Sequence, residues 1–107
     1  MRFDHVAQQV PDIAEAVRWQ LEAIPESRVL YQDESWALVE SGGGRLAFVL
    51  PDHHPSHIAY RVDDEELERL AARHGASIAV HRDATRSFYL KGPGALQTEI
   101  ISYPRGA

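Results

Sequence analysis

An α+β fold made of two tandem strand–helix–three-strand modules is the architecture that this 107-residue sequence predicts. Three observations carry the prediction. The chain resembles itself at a shift of 52 residues, with His5 falling on His57, Ala7 on Ala59, Val10 on Val62 and Asp12 on Asp64. The same shift, without a gap, lays residues 36–44 on 88–96 and sets Ala47 opposite Glu99. Each half then reads in one order: strand, helix, three strands. Two copies of one supersecondary unit in so short a chain imply a pseudo-symmetric fold with a site between its halves.

The elements follow in turn. Residues 3–10 form a first strand, which Pro11-Asp12 breaks. Asp12 with Glu15 three residues on is a helix start. Ile13, Ala16, Val17, Leu21 and Ile24 recur at helical spacing and predict a helix over 13–23 with one apolar face, ended by Pro25. Residues 27–31 are β-branched and aromatic enough for a strand, and Asp33-Glu34-Ser35 turns the chain. Strands 36–40 and 45–50 flank Ser41-Gly42-Gly43-Gly44, a hairpin signal. Pro51-Asp52-His53-His54-Pro55 links the modules, which span about 2–51 and 56–104 of a single domain covering 1–107. The second module repeats the order: strand 57–62, then a helix capped by Asp63 or Asp64 and running to His74. Leu67, Leu70 and Ala71 form that helix's buried stripe, and Gly75 suits its left-handed C-terminal position. Strands 78–81, 87–91 and 97–103 follow, with Gly92-Pro93-Gly94 as the second hairpin turn. Residues 104–107 read as a loose tail.

Composition narrows the function classes. The chain is long enough for one core and short for two independent ones. A net charge of −5 argues against nucleic acid as a partner. No apolar run approaches the roughly 18 residues of a membrane span, and Met1-Arg2-Phe3-Asp4-His5 does not open a signal peptide. Cysteine is absent, which removes disulfides, thiolate metal sites and cysteine nucleophiles, and fits a cytoplasmic protein.

Strand alternation decides where the repeated residues point. Val6 and Val10 share one face and His5, Ala7 and Gln9 the other. In the second copy Ile58, Tyr60 and Val62 oppose His57, Ala59 and Arg61. The apolar set packs under the helix of its own module, so both histidines face the reverse side, where a concave sheet leaves a cavity. Glu99 sits among apolar neighbours in the last strand, where an ionised carboxylate is costly without a cation or hydrogen-bond partner. Two imidazoles and one carboxylate suit a divalent transition metal (Fe, Mn, Ni or Zn) and leave coordination positions open.

The segments Phe3-Asp4-His5-Val6-Ala7…Val10-Pro11-Asp12-Ile13, His57-Ile58-Ala59-Tyr60-Arg61-Val62-Asp63-Asp64 and Phe88-Tyr89-Leu90-Lys91-Gly92-Pro93-Gly94…Glu99-Ile100 resemble the vicinal oxygen chelate superfamily. That group includes glyoxalase I, extradiol dioxygenases, fosfomycin resistance proteins, methylmalonyl-CoA epimerase and bleomycin resistance proteins. The resemblance runs from Arg2 to Pro104. It implies paired βαβββ modules forming a curled mixed sheet around a central cavity, with His5, His57 and Glu99 matching three metal ligands. Glyoxalase I and the epimerase carry a fourth ligand, Glu or Gln, on the last strand of the first module. Here that place holds Ala47, which cannot ligate through its side chain. The remaining two-histidine, one-carboxylate set is like that of extradiol dioxygenases and fosfomycin-modifying enzymes.

The sequence therefore points first to a small metal-dependent enzyme acting on a small oxygen-rich substrate, as lyase, dioxygenase, isomerase or transferase. Glu99 doubles as a candidate catalytic group. Arg61 could grip an anionic substrate group in bidentate fashion, and Tyr89, Gln9 and Trp36 complete the candidate substrate contacts. Tyr89 and Tyr103 could equally pack in the core. The alternative is a metal-free binder of the bleomycin-resistance type, its cup lined by Trp36, Leu38, Val49 and Tyr89. A third is a regulatory or structural domain that keeps the site as a relic. His53 and His54 read as linker residues, His81 and Arg82 as a solvated pair, and Gly42-Gly43-Gly44 as a turn rather than a phosphate loop. The resemblance also implies a homodimer, in line with the usual symmetric association of such chains.

Overall fold

The computed structural model describes residues 1–105. Its elements run β1 (Arg2–Gln9), α1 (Ile13–Ala23), β2 (Ser27–Gln32), β3 (Trp36–Ser41), β4 (Gly44–Val49), β5 (His57–Arg61), α2 (Asp64–His74), β6 (Ala79–Val80), β7 (Arg86–Lys91) and β8 (Gln97–Ser102). The strand–helix–three-strand order thus occurs twice, as the repeat predicts. The chain divides into two compact units, His5–His57 and Met1–Asp4 with the chain from Ile58 onward. The break falls inside β1, so the first four residues group with the second half rather than with the first module. Among the described residues no helix is long and apolar enough to cross a membrane.

In the unit His5–His57 the strands lie in the order β2-β3-β4-β1. β1 runs parallel to β4, and β3 runs antiparallel to both β2 and β4. α1 starts where Asp12 accepts a hydrogen bond from the Glu15 amide at 2.9 Å, the side-chain cap that satisfies an otherwise orphaned helix donor. Its inner stripe, Ile13 and Val17 with Ala16, packs on Ala37, Val39, Leu46 and Phe48. The stripe departs from expectation at its C-terminal end. Leu21 and Ile24 are 39% and 38% exposed, and Gln20 turns inward instead, donating to Ser41 Oγ at 3.1 Å. A buried amide is tolerated there because its hydrogen bond offsets desolvation. Gly42 and Gly43 both have positive φ, 56° and 84°, which lets two residues close the β3–β4 hairpin.

The second unit orders its strands β5-β8-β7-β6, with β5 parallel to β8 and β7 antiparallel to β6 and β8. Asp63 caps α2 through the Glu66 amide at 2.8 Å, and Gly75 ends it in the left-handed conformation at φ 62°. Asp64, Glu65 and Glu66 in the first turn and Arg73 and His74 in the last complement the helix dipole. Leu67 and Ala71 anchor the helix on Val62, Phe88 and Ile100. β6 is shorter than the sequence predicts. Ile78 is drawn into this core, and the His81 amide bonds to Thr85 O across a turn in which Ala84 has φ 69°. Of the expected tail, Gly106 and Ala107 lie outside the described residues.

Candidate metal centre

The first unit holds both repeated histidines. Register sets Ala7 beside Ala47 and Val6 beside Leu46. Ala7, Leu38, Ala47 and Val49 with Trp36 form a second apolar cluster, distinct from the one under α1. His5 shares the strand face of Ala7, so it points away from α1, as alternation predicts. His57 opens β5 and is 6% exposed. The two imidazoles meet edge to face, ring centroids 5.5 Å apart and planes at 72°.

His57 is oriented by the linker before it. Its Nδ1 lies 2.7 Å from Pro55 O. A carbonyl only accepts, so Nδ1 carries the proton and Nε2 of the neutral ring keeps the lone pair that a metal takes. Metal-binding histidines are commonly held by such an outer hydrogen bond. Gln9 braces the linker: its backbone N–H donates to Ser56 Oγ at 3.0 Å, and its Nε2 donates to His54 O at 2.7 Å. The structure thus places Gln9 as a support of the His57 approach, a role its strand position alone did not reveal. His53 is exposed, with Asp52 4.0 Å away. Trp36 borders the Ala7 cluster and stacks on Tyr31 at 4.6 Å. Ala47, 4% exposed, presents only a methyl group.

Glu99 belongs to the second unit. It pairs with Ala59 on β5 and with Tyr89 on β7. Ala59 and Glu99 lie side by side in the β5–β8 ladder, so their side chains share one face of the sheet. The carboxylate is in a residue only 5% exposed. The Tyr89 hydroxyl donates to it; burial first, and then the negative charge of Glu99, hold the phenol above its ordinary pKa. Arg61 shares this face, its guanidinium carbon 4.2 Å from the Tyr103 ring centroid. Tyr103 in turn donates to Asp4 Oδ2 at 2.7 Å, and Asp4 is 7% exposed. Asp4 and Pro55 are the two contributors that sequence reasoning passed over. A lone acid between Phe3 and His5, and a prolyl carbonyl two residues before a strand histidine, are the signals that mark them. His81, half-buried, bonds through Nε2 to Ser87 Oγ at 2.7 Å and so is not the solvated partner of Arg82.

No protein-family model matches the chain, and no curated protein matches it. Solved structures do. A Legionella pneumophila protein described as an NAD-dependent benzaldehyde dehydrogenase superposes with a TM-score of 0.72 at 14% identity, covering 92% of this chain and 97% of that one. A variant of Streptomyces coelicolor methylmalonyl-CoA epimerase, bound to 2-nitronate-propionyl-CoA, gives 0.69 at 16% identity, covering 98% and 96%. A methylmalonyl-CoA epimerase bound to methylmalonyl-CoA gives 0.68 at 16% identity, covering 97% and 95%. At these identities the likeness is one of fold. The paired βαβββ modules and the superpositions agree, and the chain has the vicinal oxygen chelate fold.

Proposed function

We propose that the chain is a divalent-metal-dependent enzyme in which His5, His57 and Glu99 hold one ion and a small oxygen-rich substrate completes its coordination. The observation that carries this is the meeting of the repeat-equivalent histidines at 5.5 Å. The three residues offer two imidazole nitrogens and one carboxylate oxygen, a set suited to Fe, Mn, Ni or Zn. Their chemistry fits such a group: His57 is held with Nε2 as acceptor, and Glu99 brings a buried negative charge that a cation offsets. When bound, the ion supplies Lewis acidity toward adjacent substrate oxygens.

The chain's own residues would do the rest. Arg61, laid on Tyr103, would grip an anionic substrate group. Ala7, Leu38, Ala47 and Val49 would exclude water on the histidine side. Methyl-bearing Ala47 speaks for the three-ligand chemistry of dioxygenase- or transferase-type members over the four-ligand epimerase type. A dinucleotide reading draws no support from Gly42–Gly44, which close a hairpin rather than open a helix. The proposal includes a homodimer. In the first unit Trp19, Leu21, Ile24, Val29, Leu30 and Tyr31 expose large apolar surface, between 38% and 64% each, which a second copy would cover.

Elemental analysis of untagged protein beside His5→Ala and Glu99→Ala tests the reading. Near-stoichiometric metal in the wild type, lost in both variants, is expected. Iron would indicate oxygen chemistry; manganese or nickel would indicate lyase, isomerase or transferase work. One observation favours a second reading, a metal-free binder: the histidine-side cluster of the first unit is otherwise apolar. Absence of metal after supplementation with Fe, Mn, Ni and Zn would sink the first reading and leave this one.

A further inference from the structure

We propose that Tyr89 is a positioning residue for Glu99: its hydroxyl occupies one carboxylate oxygen and leaves the other as the single ligand atom for the ion. The inference rests on the metal-centre reading above and deepens it. Tyr89 and Glu99 are directly paired across antiparallel β7 and β8. Such cross-strand partners carry their Cβ atoms only about 4.5–5.5 Å apart on one face of the sheet. Phe88 and Ile100, their neighbours in the two strands, point the other way into the α2 core. Tyr89 and Glu99 therefore share the face opposite α2, where Glu99 is 5% exposed and Tyr89 half-buried.

A phenol has one proton to donate, and Tyr89 commits it to Glu99. The oxygen that accepts it has less electron density for a cation. Rotation of the carboxylate is also opposed, because turning it would break a charge-assisted hydrogen bond in a buried place. Glu99 is thereby held as a one-oxygen ligand. With two histidines this fills three positions of a six-coordinate ion and leaves three, enough for a substrate with two adjacent oxygens and one further ligand. A two-oxygen Glu99 would leave only two. Tyr89 thus acts through Glu99 and selects for chelating substrates, a role that the sequence, which leaves it as a substrate contact or a packing residue, does not reveal.

The test compares wild type, Tyr89→Phe and Tyr89→Leu, each titrated with Co2+ alone, with no substrate present. Calorimetry gives the dissociation constant, and the visible spectrum of the Co2+-loaded protein reports coordination number. Tyr89→Phe is expected to weaken Co2+ binding by about 10- to 100-fold, the usual effect of losing an outer hydrogen bond to a ligand. Its spectrum should also change as the released oxygen reaches the ion. Wild-type affinity together with an unchanged spectrum in a folded Tyr89→Phe overturns the positioning role and leaves the metal centre standing. Absence of Co2+ binding by the wild type overturns the metal centre and this role with it. Failure of both variants to fold would make Tyr89 a structural residue and overturn the assignment.

Discussion

Replacing Glu99 by glutamine distinguishes a ligand carboxylate from a structural one. Glutamine keeps the volume of the buried residue, and its carbonyl oxygen can still accept from Tyr89, so packing is preserved while the negative charge is lost. The magnitude follows from linkage. An ion that binds only the folded chain adds about 2.7 kcal/mol at a free concentration one hundred times its Kd. For a chain of 107 residues the unfolding entropy near 60 °C is about 0.22 kcal/mol per degree. The wild type should therefore gain about 12 °C in Tm on metal addition. Loss of the carboxylate should weaken binding at least as much as loss of an outer-shell partner does, about 100-fold. At the same metal concentration the gain then falls to about 0.4 kcal/mol, or about 2 °C. Differential scanning calorimetry of both proteins, with EDTA and then with each of Mn, Fe, Ni and Zn, gives the two increments directly. Equal increments in Glu99→Gln and wild type would refute Glu99 as a ligand. A Tm in EDTA no lower than that of the wild type would show that the smaller increment comes from the ion and not from packing.

The remaining predictions concern the scaffold. Leu67 is fully buried under α2, so Leu67→Ala should cost about 3–4 kcal/mol through lost burial and a residual cavity; urea denaturation measures it, and a loss below about 1 kcal/mol would contradict the packing described. Asp63→Ala removes the cap that accepts from the Glu66 amide and should cost about 1 kcal/mol, read as a lower denaturation midpoint with unchanged slope. Asp33 accepts from the Tyr31 hydroxyl, from the Ser35 amide and hydroxyl, and from the Trp36 amide, and these bonds hold its carboxyl well below the usual carboxylate range. A depressed folded pKa means that its contribution is present above the unfolded value, about 3.8, and is lost as pH falls through the folded one. An NMR titration should find the Asp33 midpoint well below 3.8, with faster amide exchange at Ser35 and Trp36 below it; a midpoint near 3.8 would refute those hydrogen bonds.

Much of the architecture was legible because it is written in local chemistry. Asp12 with Glu15, and Asp63 with Glu66, are side-chain caps that form within one turn. Gly75 marks a left-handed helix end, and Gly42-Gly43 a two-residue hairpin. Alternation along β1 and β5 was enough to send His5 and His57 away from the helices, since side-chain direction in a strand is a property of the backbone. Glu99 stood out as a carboxylate among apolar neighbours in the last strand, and the family resemblance matched it to a ligand position.

Other features needed the folded chain. Leu21 and Ile24 fit the apolar period of α1, yet they lie beyond the area that its sheet covers, and Gln20 takes the inward place because Ser41, 21 residues away, supplies its partner. Gln9 reads as a wall residue until the linker returns to it, when its side-chain amide braces His54 and its backbone N–H holds Ser56. The Pro55 carbonyl that sets the His57 tautomer, and the β7–β8 register that hands Glu99 to Tyr89, depend on where distant backbone comes to rest. The sequence by itself determined which way each strand residue points and where helices start and stop, because these depend on neighbours a few residues away. Only tertiary structure decided which donor each acceptor receives, because a hydrogen bond is directional over about 3 Å and that precision comes from packing, not from pattern.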